Sequence, residues 1–440
     1  MANDQEYVKF DVSEVLDILE ESAHDVSEGL EPLYDRIKDA RIVMLGEASH
    51  GTHEYYLWRS KISKYLIQHK GFNTIAVEGD WPACYALNRY IRHYGNSGKN
   101  TTQVVESFNR WPTWMWANFE ITALIDWLRK YNQGKPFNRQ VGFYGLDVYS
   151  LWESLEEISG YLKKNDPVAH KTALEAMACF EPYDKEGVEY AGSTRFAPDT
   201  CEDEVVRLLQ EIRSRVPLYN TDPEGPFNVE QNAMTAVNAE KYYRAMIRGG
   251  PESWNIRDTH MTQTLEKLLQ FQGPGAKAIV WEHNTHIGDA RATDMAAGGL
   301  VNVGQLVREK WGEEETVAVG FGSYEGSVVA SEAWGSPMKE MEMPPARENS
   351  VEYLLHHVRP ADKLIISEDL AKSKSFFEYM DHRAIGVVYH SRYEKEGNYV
   401  PSVIRSRYDA FLFFDETTPL HPLGVGSDTR KVPETYPWGV

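Results

Sequence analysis

The chain has 440 residues, 42% hydrophobic and 25% charged, a composition that supports an ordinary globular fold with a large core. Lys+Arg 46 against Asp+Glu 66 gives a formal net charge of -20, which excludes a broad nucleic-acid or anionic-membrane surface, since both need clustered basic residues. Cys84, Cys179 and Cys201 form no CxxC pair, and their odd count argues against a disulfide framework and for a reducing compartment.

Residues 1–6 are polar and acidic, with neither a basic n-region nor an apolar h-region. No apolar run approaches the roughly 20 residues of a membrane helix. These features lead us to expect a soluble, cytoplasmic protein acting on a small molecule, without nucleic-acid or membrane partners.

Residues 12–37 carry one helical pattern, with apolar positions at Val12, Val15, Leu16, Ile18 and Leu19, then Leu30, Leu33 and Ile37. A strand is expected over 41–45. It breaks at Gly46 and is followed at once by Glu47, Ser49 and His50. The glycines at 46 and 51 are expected to let the backbone turn sharply. An amphipathic helix over 55–70 stops at Gly71. A second strand, 72–77, ends in Glu78-Gly79-Asp80, and Trp81-Pro82 opens the next helix.

Residues 110–116 are densely aromatic and include Trp114 and Trp116. A helix over 118–130 leads to a third strand, 141–146, which ends at Asp147. Strand–helix alternation of this kind predicts a parallel sheet. From 150 to 272 only helical patterns recur, at 151–163, 205–216, 229–247 and 259–269, with a turn-rich loop at 220–226. Strands resume at 276–281, 316–321, 385–389 and 410–414. Their near-continuous apolar runs predict cover on both faces. The expected fold is α/β, a three-layer core with a mainly parallel sheet, in one domain with a helical insertion at 150–275.

In a parallel sheet the strand carboxyl ends share one edge. Four strands here end in reactive residues: Glu47 and His50, Glu78 and Asp80, Asp147, and His283 and His286. These clusters are expected to converge at that edge. Ser49 lacks the first glycine of a G-x-S-x-G elbow, because Glu47 stands there. His53-Glu54-Tyr55-Tyr56-Leu57 lacks the second histidine of HExxH. A carboxylate-held histidine that takes a proton from water fits the residues. A divalent metal held by the same Glu and His set fits them too. So does a ligand-binding site, for instance for haem, without turnover. His53 and His69 read as structural. Arg257 is a candidate for stabilising developing negative charge. Trp114 and Trp116 could line an apolar pocket, and together with Asp80 and Asp147 they are the expected substrate contacts.

Gly46-Glu47-Ala48-Ser49-His50-Gly51-Thr52, Val77-Glu78-Gly79-Asp80-Trp81-Pro82, Phe143-Tyr144-Gly145-Leu146-Asp147 and Trp281-Glu282-His283-Asn284-Thr285-His286 together resemble the erythromycin esterase-like family, in its broad and mostly uncharacterised branch. The resemblance spans most of the chain. It implies an α/β core with helical additions. It also implies hydrolysis of a macrolide-type lactone ester by activated water, with no covalent intermediate and no required cofactor or metal. By motif, Glu47, His50, Glu78, His283 and His286 would line the catalytic site with Arg257 beside them. His50 or His286 would be the general base.

Overall fold

The computed structural model describes residues 10–95, 97–98, 100–183, 187–194, 200–218 and 222–439. Residues 1–6, and Asn220 and Thr221 of the 220–226 loop, lie outside them. The apolar runs expected as strands near 41–45, 72–77, 141–146, 276–281, 316–321 and 410–414 form strands. In chain order the strands are β1 (Ala23–Asp25), β2 (Ile42–Leu45), β3 (Thr74–Asp80), β4 (Gly142–Asp147), β5 (Ala278–Trp281), β6 (Thr316–Ala330), β7 (Lys339–Met343), β8 (Lys363–Ile366), β9 (Met380–Arg383), β10 (Tyr399–Ser402) and β11 (Ala410–Thr417). The fold is mixed α/β with mostly parallel central pairing.

The chain divides into two compact units. The first comprises Met1–Gly71, Lys277–His421 and Gly439–Val440. Here β5, β2, β6 and β11 run parallel in that order, with β8 and then β1 antiparallel beyond β11 and β7 antiparallel on the distal part of β6. Every residue of β2 and β5 is buried, which explains why neither alternates apolar with polar. Helix His53–His69 follows β2, and Gly71, with φ 76°, takes the left-handed conformation just beyond its end.

The second unit comprises Phe72–Ala276 and Pro422–Trp438. Its β3 and β4 are parallel, with a register shift between Val77 and Asp80 that sets Asp80 opposite Asp147. Helix Trp81–Ile91 starts on the proline expected of it, and Asn118 caps helix Phe119–Asn132 by accepting from the Ile121 backbone N–H. From residue 151 to 272 the described residues form helices and no strand, the longest being Leu151–Asn165, Gly225–Met246 and Glu252–Gln272. These pack through Leu155, Ile158, Leu208, Ile212, Ala236 and Tyr242.

Three local expectations are corrected. The 12–37 pattern is not continuous: helix Val12–Ser22 ends where Ala23 pairs with Ile365, and the edge strand β1 precedes helix Glu31–Ile37. Residues 385–389 form no strand. The N–H groups of Ile385, Val387 and Tyr389 donate to Ala48, Gly439 and Ser331 in turn, three separate segments, so no ladder builds. Cys179 and Cys201 are joined in a disulfide, with Cα atoms 5.9 Å apart, leaving the buried Cys84 unpaired. An odd count therefore leaves one thiol over without forbidding a bridge, and a fully reduced set is not what the fold shows. Among the described residues no helix is long and apolar enough to cross a membrane.

Candidate active site

In the first unit the site grows from the break after β2. Gly46 and Gly51 are needed for close approach and not for a left-handed turn, since neither has a positive φ. A Cβ on Gly46 would lie 2.1 Å from Asn284 Oδ1, and one on Gly51 would lie 1.8 Å from the Val329 carbonyl. The loop is thereby pressed against β6 and the turn after β5. Glu47, His50 and Arg59 are all buried there. Glu47 Oε1 lies 3.0 Å from His50 Nδ1, and Glu47 Oε2 accepts from Arg59 Nη2 at 2.6 Å. The Arg59 guanidinium also stacks over Tyr56 and Trp281, 4.3 and 4.7 Å from their ring centroids.

A carboxylate only accepts, so Nδ1 of the neutral His50 carries the proton and Nε2 presents a lone pair. That Nε2 is buried and has no hydrogen-bond partner among the described residues. The Ser49 hydroxyl bonds the Thr52 hydroxyl.

The turn after β5 supplies the second imidazole. His283 caps the short helix Asn284–Ile287, and its Nδ1 accepts from the Thr285 N–H at 3.3 Å. A backbone N–H only donates, so the neutral His283 ring carries its proton on Nε2. The His50 and His283 rings lie with centroids 5.0 Å apart. One ring thus offers an acceptor nitrogen and its neighbour a donor.

Asn284 fixes this pairing. Its backbone N–H donates to the Glu47 carbonyl at 2.8 Å, its Nδ2 donates to the Phe321 carbonyl at 2.7 Å, and its Oδ1 accepts from Phe321 N at 3.2 Å. His286 is fully buried one turn further on, with its backbone N–H on the His283 carbonyl.

In the second unit the ends of β3 and β4 carry a different chemistry. Arg257 donates from Nε to Asp147 Oδ1 at 3.0 Å and from Nη2 to Asp147 Oδ2 at 2.8 Å and Glu78 Oε1 at 2.6 Å. Burial alone would pull this guanidinium down, but Asp147, Tyr149 and Glu78 hold its pKa well above the usual arginine value. Arg257 is thus engaged on two carboxylates at once.

Asp80 and Arg110 form a second clamp. Arg110 Nε donates to Asp80 Oδ2 at 2.5 Å and Nη2 donates to Glu153 Oε1 at 2.9 Å. Burial, with Glu153 and Asp147 adding repulsion, raises the Asp80 carboxyl despite Arg110. Trp114 and Trp116 are buried. Trp114 packs edge-on against Trp111, and Trp116 packs against Phe108 and Phe143.

The first unit therefore brings together Glu47, His50 and His283 with His286 one turn away, and the second brings together Glu78, Asp147 and Arg257. Arg59, Arg110, Glu153 and Asn284 were not singled out from the sequence. Arg59 had a legible signal: it occupies the buried stripe of its helix with Tyr55, Ile62 and Leu66, where a lone cation requires a buried partner.

A family model described as erythromycin esterase matches residues 67–417. Erythromycin esterase type II of Escherichia coli is 23% identical over 330 residues, covering 70% of this chain and 74% of that protein. The putative hydrolase YbfO of Bacillus subtilis (strain 168) is 21% identical over 406 residues, 87% of this chain and 85% of its own. Among solved structures, a succinoglycan biosynthesis protein has TM-score 0.74 at 19% identity, covering 93% of this chain and 98% of that one. An erythromycin esterase mutant in its open conformation has TM-score 0.66 at 18% identity, covering 91% and 96%. These two structures share the fold.

Proposed function

Because the chain belongs to the erythromycin esterase family, we propose that it hydrolyses a carboxylic ester or lactone with water activated by His50. One observation carries this: His50 Nδ1 is held by Glu47 while the buried Nε2 has no hydrogen-bond partner among the described residues. In the proposed step Nε2 takes a proton from water as the water oxygen attacks the carbonyl carbon. Glu47, fixed by Arg59, stabilises the imidazolium. The Nε2–H of His283 donates to the developing oxyanion. The tetrahedral species collapses, the alkoxide leaves, and it recovers the proton from His50. The products are an acid and an alcohol, with no covalent enzyme intermediate and no required metal. From the family resemblance we also assign Glu78, Arg257 and His286 to catalysis, and Asp80, Trp114, Trp116 and Asp147 to substrate contact.

The relatives' names make macrolide lactones the first substrates to try. The test is hydrolysis of an ester panel that includes erythromycin, with and without chelator, by wild type and His50→Ala. A general base contributes about 10²–10⁴-fold, so kcat should fall by that factor while chelator changes nothing. Undiminished activity in His50→Ala overturns the assignment. Activity lost to chelator and restored by zinc or manganese transfers the Glu and His set to a metal-dependent mechanism.

A further inference from the structure

The second unit contains a cavity of about 230 Å³ at the end of β3, lined by the carboxyl groups of Asp80, Glu153, Glu156, Glu157 and Glu434. Among the described residues two bases line it, Arg110 and Lys431. Both are engaged on Glu153, Arg110 Nη2 at 2.9 Å and Lys431 Nζ at 3.0 Å from the same oxygen. Arg110 also holds Asp80 Oδ2. Carboxylates therefore outnumber cations, and the cavity repels anions.

Two further observations point to an occupant. Asp80 Oδ1 has no hydrogen-bond partner among the described residues, although Asp80 is only 6% exposed. An unpaired acceptor on so deeply buried a carboxylate is costly unless something donates to it. In addition, the Phe108 and Trp116 rings line the same space, with centroids 6.3 Å apart and planes tilted by 39°. Aromatic faces attract an organic cation and do not ligate a bare metal ion. The Arg110 guanidinium on the other Asp80 oxygen also disfavours a divalent ion there by charge repulsion.

We propose that this cavity binds a protonated organic amine, with an N–H donated to Asp80 Oδ1 and the cationic group set against the Phe108 and Trp116 rings. The carboxyls are consistent with a cavity short of positive charge. Burial, then repulsion from Asp80, raises Glu434 well above the usual carboxylate range. The Trp116 indole N–H likewise has no acceptor among the described residues, so an amine that carries a neighbouring hydroxyl or carbonyl suits the site best. Gly79 makes room for that indole, since a Cβ there would come within 3.0 Å of Nε1.

The test is calorimetric titration of the full chain with benzylamine, with benzyl alcohol as the uncharged counterpart and benzyltrimethylammonium as a cation lacking N–H. Charge-assisted hydrogen bonding predicts that benzylamine binds about tenfold or more tighter than either. Asp80→Asn should abolish that preference. Because this change also unpairs Arg110, Glu157→Gln on the exposed lip is measured beside it. It should weaken benzylamine about twofold and leave benzyl alcohol unchanged. Equal affinity for amine and alcohol overturns the proposal, and so does amine binding that neither substitution alters. No turnover is needed, so a failure here is separate from a failure of the hydrolase assignment.

Discussion

Glu47 follows β2 and Asp147 closes β4, and each accepts from a buried arginine, yet the two surroundings lead to opposite behaviour. In the first unit one carboxylate serves one arginine and one histidine, and the histidine keeps a ring nitrogen without a hydrogen-bond partner among the described residues. In the second unit two arginines each span two carboxylates, Arg257 on Glu78 and Asp147, Arg110 on Asp80 and Glu153. Strand ends of a parallel sheet place polar groups in both cases. The ratio of acids to bases, together with the presence of an imidazole, decides what those groups do. An open nitrogen beside a carboxylate is a poised proton acceptor. A clamped pair of acids is a stabilising element and a source of negative potential.

The largest effect should come from breaking each side at its centre. His50→Ala should lower kcat about 10²–10⁴-fold with little change in the urea midpoint, because its partner Glu47 keeps Arg59. Arg257→Ala should do the reverse to stability, costing about 3–5 kcal/mol by leaving two carboxylates buried without their cation. Urea unfolding read by circular dichroism checks both. Comparable stability losses in the two variants would remove the distinction between the two clusters.

The strands and the polar clusters at their ends were legible, but the distinction between those clusters was not, and the reasons are local. Strands β2, β3, β4 and β5 could be read because each is an apolar run that stops at glycine or acid. So could the four clusters at their ends. The tautomers could not, because they depend on what faces each ring nitrogen: the Glu47 carboxylate for His50 and the Thr285 N–H for His283. Nor could the role of Arg257, since its partners lie 110 and 179 residues away. The short strands β1, β8, β9 and β10 escaped notice because three or four residues carry no period. Residues 385–389 misled for the opposite reason. They are apolar and mostly buried, but their backbone bonds go to three different segments. The disulfide escaped because parity says nothing about which two of three thiols meet.

The acid cluster also has a pH signature. His260, buried beside Asp147, accepts from the Asn238 amide at Nδ1 over 2.9 Å. Burial lowers its pKa to about 4, with Asp147 opposing in part. The folded state therefore keeps His260 neutral where the unfolded chain takes a proton. The sign follows: its contribution is fully present above the unfolded value of about 6.5 and is lost as pH falls toward 4. The loss should reach about 3 kcal/mol across that window. Stability measured from pH 7.5 to 4 should show this slope in wild type and a flatter one in His260→Gln. Parallel curves would mean that His260 is solvated in the folded state and that the cluster is less enclosed than its contacts indicate.

The smallest effect separates the inside of the acid cluster from its rim. Lys431 holds the same Glu153 oxygen as Arg110, at 3.0 Å, but its side chain is 24% exposed where that of Arg110 is 5% exposed. Burial opposes the charge on Glu153, yet Arg110 and Lys431 together bring its pKa below the usual carboxylate value. Solvent screens the outer partner, so Lys431→Met should cost only about 0.5 kcal/mol, and less in high salt. Arg110→Met should cost several times more, because it strands the buried Asp80 and leaves Glu153 with Lys431 alone. A pair of urea titrations at low and high salt checks this. If Lys431→Met costs about 2 kcal/mol or more and salt does not reduce it, the rim pair behaves like the buried one. The graded neutralisation from Arg257 through Arg110 to Lys431 would then be false.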